Sequence, residues 1–305
     1  MVKKYQLLSG KICEVQEGPA SISVYSKPAD SEKAFLTGEL GIDEHTLQSA
    51  LDPDEISRLE FEAEHVAIIL KRPKNYSAED RFLFKVASMG LFLFKEQLII
   101  VAAEDVPLFD HKVFARVTAL SEIVLKLLYR SIYHFNEHLR IINLITESLE
   151  QKINAAMENK YLLNLFILEK SLVYYLNAIN ANAMLITKMR NYSAKIGFNA
   201  DCIEFLDDIL IENNQCSRQA EIYSNILSSL MDARASIVGN NLNVLMKTLN
   251  IITIGIMVPT FVVSLFSMNV KIPLEEHPLA FFFIFALAMA AVAGFFLFWK
   301  YKKWI

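Results

Sequence analysis

Two apolar runs dominate the last quarter of the chain. The first covers residues 249–266 and the second covers residues 279–299, and neither contains a charged residue. A helix rises 1.5 Å per residue and the hydrocarbon core of a bilayer is about 30 Å thick, so each run is long enough, or nearly so, to cross it. A backbone in lipid must also satisfy its own hydrogen bonds. The pattern therefore predicts two transmembrane helices, joined as a hairpin by residues 267–278.

A long helical region precedes the hairpin. Residues 108–196 contain neither glycine nor proline, and they are rich in Leu, Ile, Asn, Glu and Lys, which favours helix. The stretch is too long for one ordinary helix, so we expect breaks near residues 158–160 and 191–199 and an antiparallel helical pair within residues 107–199. One stalk helix should follow over residues 200–266, with its membrane part at 248–266. At 1.5 Å per residue it would be on the order of 100 Å long.

The first 106 residues show a mixed α/β pattern. Runs rich in β-branched and aromatic residues predict strands at 22–25, 66–70, 81–88, 90–94 and 98–102. Asp43 and Pro53 bound a short helix predicted over residues 42–51. The segment from Gly38 to Gly41 is interpreted as a turn before that helix, because it lacks the spacing of a phosphate-binding loop. The predicted fold is thus an α+β domain followed by the stalk helix and the hairpin.

Charge near the two runs predicts an orientation. Basic residues flank the outer ends of the hairpin: Lys247, Lys300, Lys302 and Lys303. The connector holds one lysine against Glu275 and Glu276. Because cytoplasmic flanks carry an excess of Lys and Arg, we expect a multi-pass protein of the cell inner (plasma) membrane, with both termini and the basic tail 300–305 in the cytoplasm. The connector 267–278 would lie outside.

Composition and short motifs argue against two other classes of protein. The formal net charge is −4, whereas nucleic-acid binding needs a basic patch, so nucleic acid is not expected as a partner. Neither HExxH nor a Gly-x-Ser-x-Gly elbow occurs, and an enzyme is not predicted. His134 and His138 are four residues apart on a predicted helix. They would either bind a transition metal with a third ligand or form an ordinary pair on a helix surface, and the second interpretation is favoured.

Polar residues follow one side of the first membrane helix. An advance of 100° per residue from Asn243 collects a stripe about 100° wide. The stripe consists of Asn243, Asn250, Thr253, Thr260 and Ser264, with Met246 and Met257 among them. Such residues either form hydrogen bonds between packed helices or line a water-filled lumen. One stripe per chain cannot enclose a lumen, so the second interpretation requires several identical copies.

Four short motifs stand in or near the last seventy residues. They are Asn243-Val-Leu-Met-Lys-Thr-Leu249, Pro259-Thr260, Ser267-Met-Asn-Val270 and the terminal Lys-Lys-Trp-Ile. Together they resemble the CorA family of divalent-cation channels, whose signature is Asn-x-x-Met-Lys-x-Leu at the start of the first membrane helix and Gly-Met-Asn after it. The resemblance implies a funnel-shaped homopentamer in the lipid bilayer. Mg²⁺ would be the transported ion and a regulatory ligand, with no organic cofactor.

The resemblance also implies roles for particular residues. The pore would be lined by Asn243, Met246, Leu249, Thr253, Met257, Thr260 and Ser264. The selectivity filter would consist of Ser267, Met268 and Asn269, with five Asn269 side chains holding a hydrated ion. Glu275 and Glu276 would attract cations to the mouth, or remain ordinary solvated charges. Asp208 and Asp232 would bind regulatory metal, although a solvated stalk acid is the alternative for Asp232.

Two positions depart from the family pattern. Ser267 replaces the signature glycine, and Ser49 stands where related channels carry an acidic sensor residue, for which Asp52 or Glu55 would be substitutes. Three functions follow as expectations. The first is a channel for Mg²⁺, with Co²⁺ or Ni²⁺ as further ions, gated by movement of the stalk. The alternatives are a Zn²⁺ transporter of the same superfamily and a non-conducting membrane scaffold with the same architecture.

Overall fold

The computed structural model describes residues 1–16, 18–77, 80–155, 159–268 and 278–301. The chain divides into two compact units, Met1–Met231 and Asp232–Ile305. Each unit is described by itself below.

A seven-stranded mixed sheet forms the centre of the first unit. Its strands are β1 (Val2–Leu8), β2 (Lys11–Val15), β3 (Ile22–Ser26), β4 (Arg58–Phe61), β5 (His65–Pro73), β6 (Val86–Phe94) and β7 (Leu98–Ala102). Their order across the sheet is β2-β1-β3-β7-β6-β5-β4. Only the β3–β7 pair is parallel, with Ile22 opposite Leu98, and the other five pairs are antiparallel.

The central strands are buried on both faces, which makes the unit a three-layer structure. Alternate residues of β7 belong to different cores: Ile100 faces one cluster, and Ile99 and Val101 face the other. The smaller core lies under α1 (Asp30–Gly38) and α2 (Glu44–Leu51). The larger core is completed by the long helices that follow the sheet. Near-continuous apolar runs in β5–β7 are the sequence signature of strands covered on both sides.

Long helices cover the second face of the sheet. They are α3 (Leu120–Ala155), α4 (Asn159–Asn191) and the first part of α6 (Ala200–Phe266), with the single turn α5 (Ser193–Ile196) before α6. α6 has 67 residues, and its bounds are those that the sequence predicts. Its buried residues in this unit recur every three or four positions, as in a coiled-coil seam: Cys202, Leu206, Ile209, Asn213, Cys216 and Ala220, with Leu227 seven positions further on. The same helix continues into the second unit.

Three described helices are long and apolar enough to cross a membrane, one more than the sequence predicts. They are α4, α6 and α7 (Ala280–Tyr301). In α4, 39% of the most apolar window is already buried inside the protein, whereas the corresponding shares are 0% in α6 and 6% in α7. Leu168, Leu172 and Ile179 of α4 lie in the larger core. We therefore interpret α4 as a core helix and assign the membrane to α6 and α7.

The strand predicted over residues 81–88 is wrong in its first half. Strand β6 begins at Val86 and continues to Phe94, so the separate strand predicted at 90–94 is part of it. Arg81 and Phe82 have φ values of 46° and 69°, and this left-handed backbone is incompatible with a strand. Strand β6 has a glycine at position 90, where the Cβ of any other residue would come to 2.5 Å from the Cβ of Ala50 on α2. Strands β1, β2 and β4 and helix α1 had no predicted counterpart.

The side chain of Asn182 connects α4 to the sheet by hydrogen bonds. Strand β4 pairs with β5 only between Val66 and Ile69, so the backbone of Lys71 has no strand on that side. The side chain of Asn182 fills the place: its Oδ1 accepts from the Lys71 N–H at 2.9 Å, and its Nδ2 donates to the Lys71 carbonyl at 2.8 Å. Ser57 Oγ donates to the same Oδ1 at 2.8 Å. Asn182 is fully buried, so this amide replaces a missing ladder residue.

His138 of α3 lies in the protein interior and His134 is half-buried, so the interpretation as an ordinary pair on a helix surface is wrong. His138 is 5% exposed, and its Nδ1 lies 2.6 Å from the hydroxyl of Tyr175. The rings of His134 and His138 are 4.3 Å apart. Burial lowers the pKa of His134 to about 3 and that of His138 to about 4, helped at His134 by the neighbouring His138. Both side chains are thus neutral near pH 7.

Replacing Asn182 by leucine should destabilise the first unit strongly. The substitution leaves the N–H and carbonyl of Lys71 buried without partners, so we expect a loss of roughly 2–4 kcal/mol in the free energy of unfolding. Chemical unfolding followed by circular dichroism measures the loss. Asn177→Leu, at an exposed position of the same helix, is the control. Equal stability of the two variants would contradict the role of Asn182.

Mild acid should destabilise the same unit. Unfolded histidine takes up a proton near pH 6.5, whereas the folded protein protonates His138 and His134 only near pH 4 and 3. The unfolded state therefore binds more protons below about pH 6.5, and the free energy of unfolding falls as pH decreases. Between pH 7 and pH 5 we expect the free energy of unfolding to fall by roughly 1–2 kcal/mol per histidine. A His134→Gln/His138→Gln double variant should show a smaller decrease; an unchanged decrease would refute the assignment.

Candidate functional site

Helices α6 and α7 pack against each other in the second unit along one narrow face of each. The half-buried positions of α6 recur at helical spacing: Ile251, Gly255, Val258, Val262 and Phe266. The covered positions of α7 do the same: Ala280, Ile284, Ala288, Phe295 and Trp299. A Cβ added to Gly255 would lie 3.9 Å from Cζ of Phe296. Small residues at such a contact let two membrane helices approach closely.

The predicted polar stripe lies on the opposite side of α6. At 100° per residue, its members are centred about 180° from the face that packs against α7. All seven predicted pore-lining positions are exposed: Asn243, Met246, Leu249, Thr253, Met257, Thr260 and Ser264. Met246, Leu249 and Met257 expose 50%, 56% and 62% of their surface. The stripe therefore does not form hydrogen bonds with the described part of α7 inside one chain. Hydrogen bonds between helices of different copies and a water-filled lumen are the interpretations that stay open.

The threonine hydroxyls of the stripe have a fixed direction. Thr253 Oγ1 donates to the carbonyl of Leu249 at 2.8 Å, and Thr260 Oγ1 donates to the carbonyl of Ile256 at 2.7 Å. Each hydroxyl has one proton, which these bonds use. The oxygen lone pairs stay available on the exposed face. The stripe consequently presents hydrogen-bond acceptors rather than donors at these two levels.

Ser267 ends α6 without backbone strain. Its φ does not lie in the left-handed region, which is where the structure places Arg81, Phe82 and two other non-glycine residues. Its Oγ donates to the carbonyl of Ser264 at 2.9 Å, and its N–H donates to the same oxygen at 3.2 Å. A serine at this position thus satisfies a carbonyl at the helix end, where backbone acceptors have no helical partner. Ser267 therefore has no backbone conformation that would favour glycine at this position.

The remaining filter and charge positions are only partly described. Met268 follows Ser267 and is 54% exposed. Lys300 lies in the last turn of α7, where a cation interacts favourably with the helix dipole. The other predicted residues lie outside the described part of the chain: Asn269, Glu275, Glu276, Lys302 and Lys303. Their roles stay predictions.

Ser49 is part of a charged network and not an open metal site. It is 3% exposed, and its hydroxyl receives a hydrogen bond from Arg58 Nη2 at 2.9 Å. Arg58 also forms ion pairs with Glu55 at 2.5 Å and with Glu60 at 2.8 Å. The carboxylate of Glu55, suggested above as a substitute for the sensor residue, is therefore already neutralised by a guanidinium. Sequence reasoning missed Arg58 because its partners lie on α2, β4 and the turn between them.

The two acids assigned to regulation remain exposed. Asp208 has no recorded partner among the described residues, whereas its neighbour Asp207 is paired with Arg190. Asp232 opens the second unit and is also exposed. Within the described ranges, no group of three or more His, Cys, Asp or Glu side chains is close enough to hold a metal ion. The regulatory role of Asp208 and Asp232 therefore stays a prediction.

Known proteins resemble this chain over nearly its full length. A family model described as "CorA-like Mg2+ transporter protein" matches residues 23–302. The "Cobalt/magnesium transport protein CorA" of Methanocaldococcus jannaschii is 26% identical over 290 residues, which cover 91% of this chain and 89% of that protein.

Solved structures support the architecture. "The complete structure of CorA magnesium transporter" from the same organism superposes with a TM-score of 0.84 at 22% identity, covering 100% of this chain and 98% of that one. The "ZntB cytoplasmic domain" from Vibrio parahaemolyticus gives a TM-score of 0.61 at 11% identity, covering 78% and 98%. The full-length match confirms the predicted α/β domain, long helix and C-terminal hairpin.

Proposed function

Because the chain belongs to the CorA-like Mg2+ transporter family, we propose that several copies of it form a membrane channel for hydrated divalent cations, chiefly Mg²⁺. Proteins of this family transport ions and are not enzymes. Co²⁺ is a second candidate ion, since the name of the archaeal relative includes cobalt transport. We further propose a homopentamer in the cell inner (plasma) membrane, with both termini in the cytoplasm, on the basis of the family resemblance and the basic flanks.

The exposed stripe of α6 carries this proposal. Its polar members within residues 248–266 would face hydrocarbon if a single chain stood alone in the bilayer, which is unfavourable for residues such as Asn250 and Thr253. Helix α7 covers the opposite face, so the stripe is left for contact with other copies or with water. Several copies arranged around one axis would place every stripe on a shared lumen.

The orientation of the hydroxyls suits a hydrated ion. Mg²⁺ gives up its water reluctantly and is usually bound with several waters retained. Waters around a cation direct their hydrogens outward, so they need acceptors. Thr253 and Thr260 offer acceptors, because their protons are donated to α6 itself. The Asn269 ring would add amide oxygens at the entrance, where Glu275 and Glu276 would raise the local cation concentration.

The apolar members of the stripe suggest where the channel closes. Met246 and Leu249 lie about one turn apart on the exposed face. Rings of such side chains close a narrow pore by excluding water. Asp208 and Asp232 are exposed on the same helix, and rings of aspartates repel one another unless a cation lies between them. Binding of Mg²⁺ there would hold the stalks together, and its loss would allow them to separate.

The selectivity residue should be required for flux. Asn269→Ala should remove most Mg²⁺ entry into proteoliposomes that contain the purified protein, because the ring loses the oxygens that hold the hydrated ion. A fluorescent Mg²⁺ indicator inside the vesicles measures entry. Equal leak through both proteins would eliminate the channel and favour a non-conducting scaffold. Competition by Zn²⁺ in the same assay tests the Zn²⁺ transporter alternative; stronger competition than by Co²⁺ would support it.

The stripe threonines should also affect flux, and a third threonine provides a matched control. Thr253→Val and Thr260→Val each remove an acceptor from every copy, so we expect roughly a tenfold loss of Mg²⁺ flux, at about 1 kcal/mol per hydrogen bond and several bonds per ring. Thr248 makes the same bond, to the carbonyl of Val244 at 2.9 Å, but lies off the stripe. Thr248→Val should conduct normally. Equal effects at all three positions would refute the lumen.

A further inference from the structure

A cavity of about 510 Å³ lies in the first unit and is lined by none of the residues assigned to ion conduction. Four segments line it: the turn Pro53–Ile56, Lys71 and Lys74 at the end of β5, the stretch from Leu83 to Val86 that leads into β6, and one face of α4. Small-molecule sites usually enclose about 300–1,000 Å³. The cavity therefore has the size of a ligand site.

One side of the cavity is apolar and ends at an exposed aromatic ring. Phe84 and Ala178 are buried and form part of its wall, together with Leu83, Val86 and Ala181. Tyr174 lines the same cavity and exposes 47% of its surface. A tyrosine ring at a cavity is a platform on which a flat heterocycle can stack.

The rest of the lining is strongly basic. Four lysines line the cavity, Lys71, Lys74, Lys85 and Lys170, against the acidic residues Asp54 and Glu55. Glu55 is already paired with Arg58. Lys85 is paired with Asp80, and Lys74 lies 3.7 Å from Glu104. Lysine charge thus exceeds the acidic charge that remains to balance it.

Lys71 and Lys170 have no carboxylate at ion-pair distance among the described residues. Lys71 is 5% exposed, and its Nζ donates to the Pro53 carbonyl at 2.6 Å and to Ser88 Oγ at 3.0 Å, both neutral acceptors. An ammonium has three donors, so one remains. Burial lowers the pKa of Lys71, which measures the cost of keeping this charge inside. Lys170 lies 5.7 Å from the centre of the Tyr174 ring.

We propose that this cavity binds a nucleoside phosphate, with the base against Tyr174 and the phosphate at Lys170 and Lys71. The apolar wall accounts for the flat, uncharged part of the ligand. The unpaired ammonium groups account for its anionic part, because lysine binds phosphate as a point charge. A ligand with only one of these two features would leave half of the lining unmatched.

Calorimetric titration of ATP into the purified full-length protein, at constant excess Mg²⁺, tests the proposal. We expect saturable binding that Lys170→Gln and Tyr174→Leu each weaken about tenfold. Lys152→Gln removes the same charge from an exposed position on α3 outside the cavity and should bind as the wild type does. Adenosine and tripolyphosphate should each bind more weakly than ATP.

Three results would overturn the proposal. They are no saturable binding at millimolar ATP, equal weakening by Lys170→Gln and Lys152→Gln, and tripolyphosphate binding as tight as that of ATP with no effect of Tyr174→Leu. The last result would indicate a site for inorganic anions. The titration measures ATP binding and not ion transport. A negative result in the flux experiments would therefore not decide whether the cavity binds ATP.

Discussion

The pairing of α6 with α7 along one narrow face is the contact on which the membrane unit depends. It uses the side of α6 that includes Gly255, and it leaves the polar stripe uncovered on the opposite side. Helix backbones satisfy their own hydrogen bonds in lipid, and the hydroxyl protons of Thr253 and Thr260 are donated to carbonyls of α6. The side chain of Asn250 and the acceptor lone pairs of the two threonines do not gain partners that way. The hairpin of one chain is thus chemically incomplete, and a shared wet axis between copies is the arrangement that would complete it.

The first unit is completed differently, by burying its sheet between two helical layers. Asn182 shows how a buried polar group finds partners inside the chain, because one amide takes the place of a missing strand at Lys71. Helix α6 belongs to both units. Its apolar seam in the first unit, from Leu206 to Leu227, gives way to an exposed helix beyond Met231. A single continuous helix therefore has one part that packs inside a domain and another part whose surface is largely exposed within one chain.

The charged residues of the first unit and of helix α6 divide into those that have a partner of opposite charge within the described chain and those that do not. Ser49 stands where related channels carry an acidic sensor residue. Beside it, Arg58 forms ion pairs with Glu55 and Glu60, so these two carboxylates are already neutralised. Asp208 and Asp232 remain exposed on α6, and Lys71 and Lys170 remain without a carboxylate partner. Groups of the second kind are where a bound ion or ligand would gain most, which is why both proposals depend on them.

The sequence by itself determined the hairpin, the long helix from Ala200 to Phe266 and the polar stripe, because uncharged length and helical periodicity are local properties of the chain. The same local patterns failed where distant residues decide the outcome. The backbone of Arg81 and Phe82 turns out of the predicted strand, and α4 is as apolar as a membrane helix yet belongs to a core. The proton donated by each stripe threonine, the pairing of Glu55 with Arg58 and the burial of His138 were decided only by tertiary structure, since each depends on which groups the fold brings within a few ångströms.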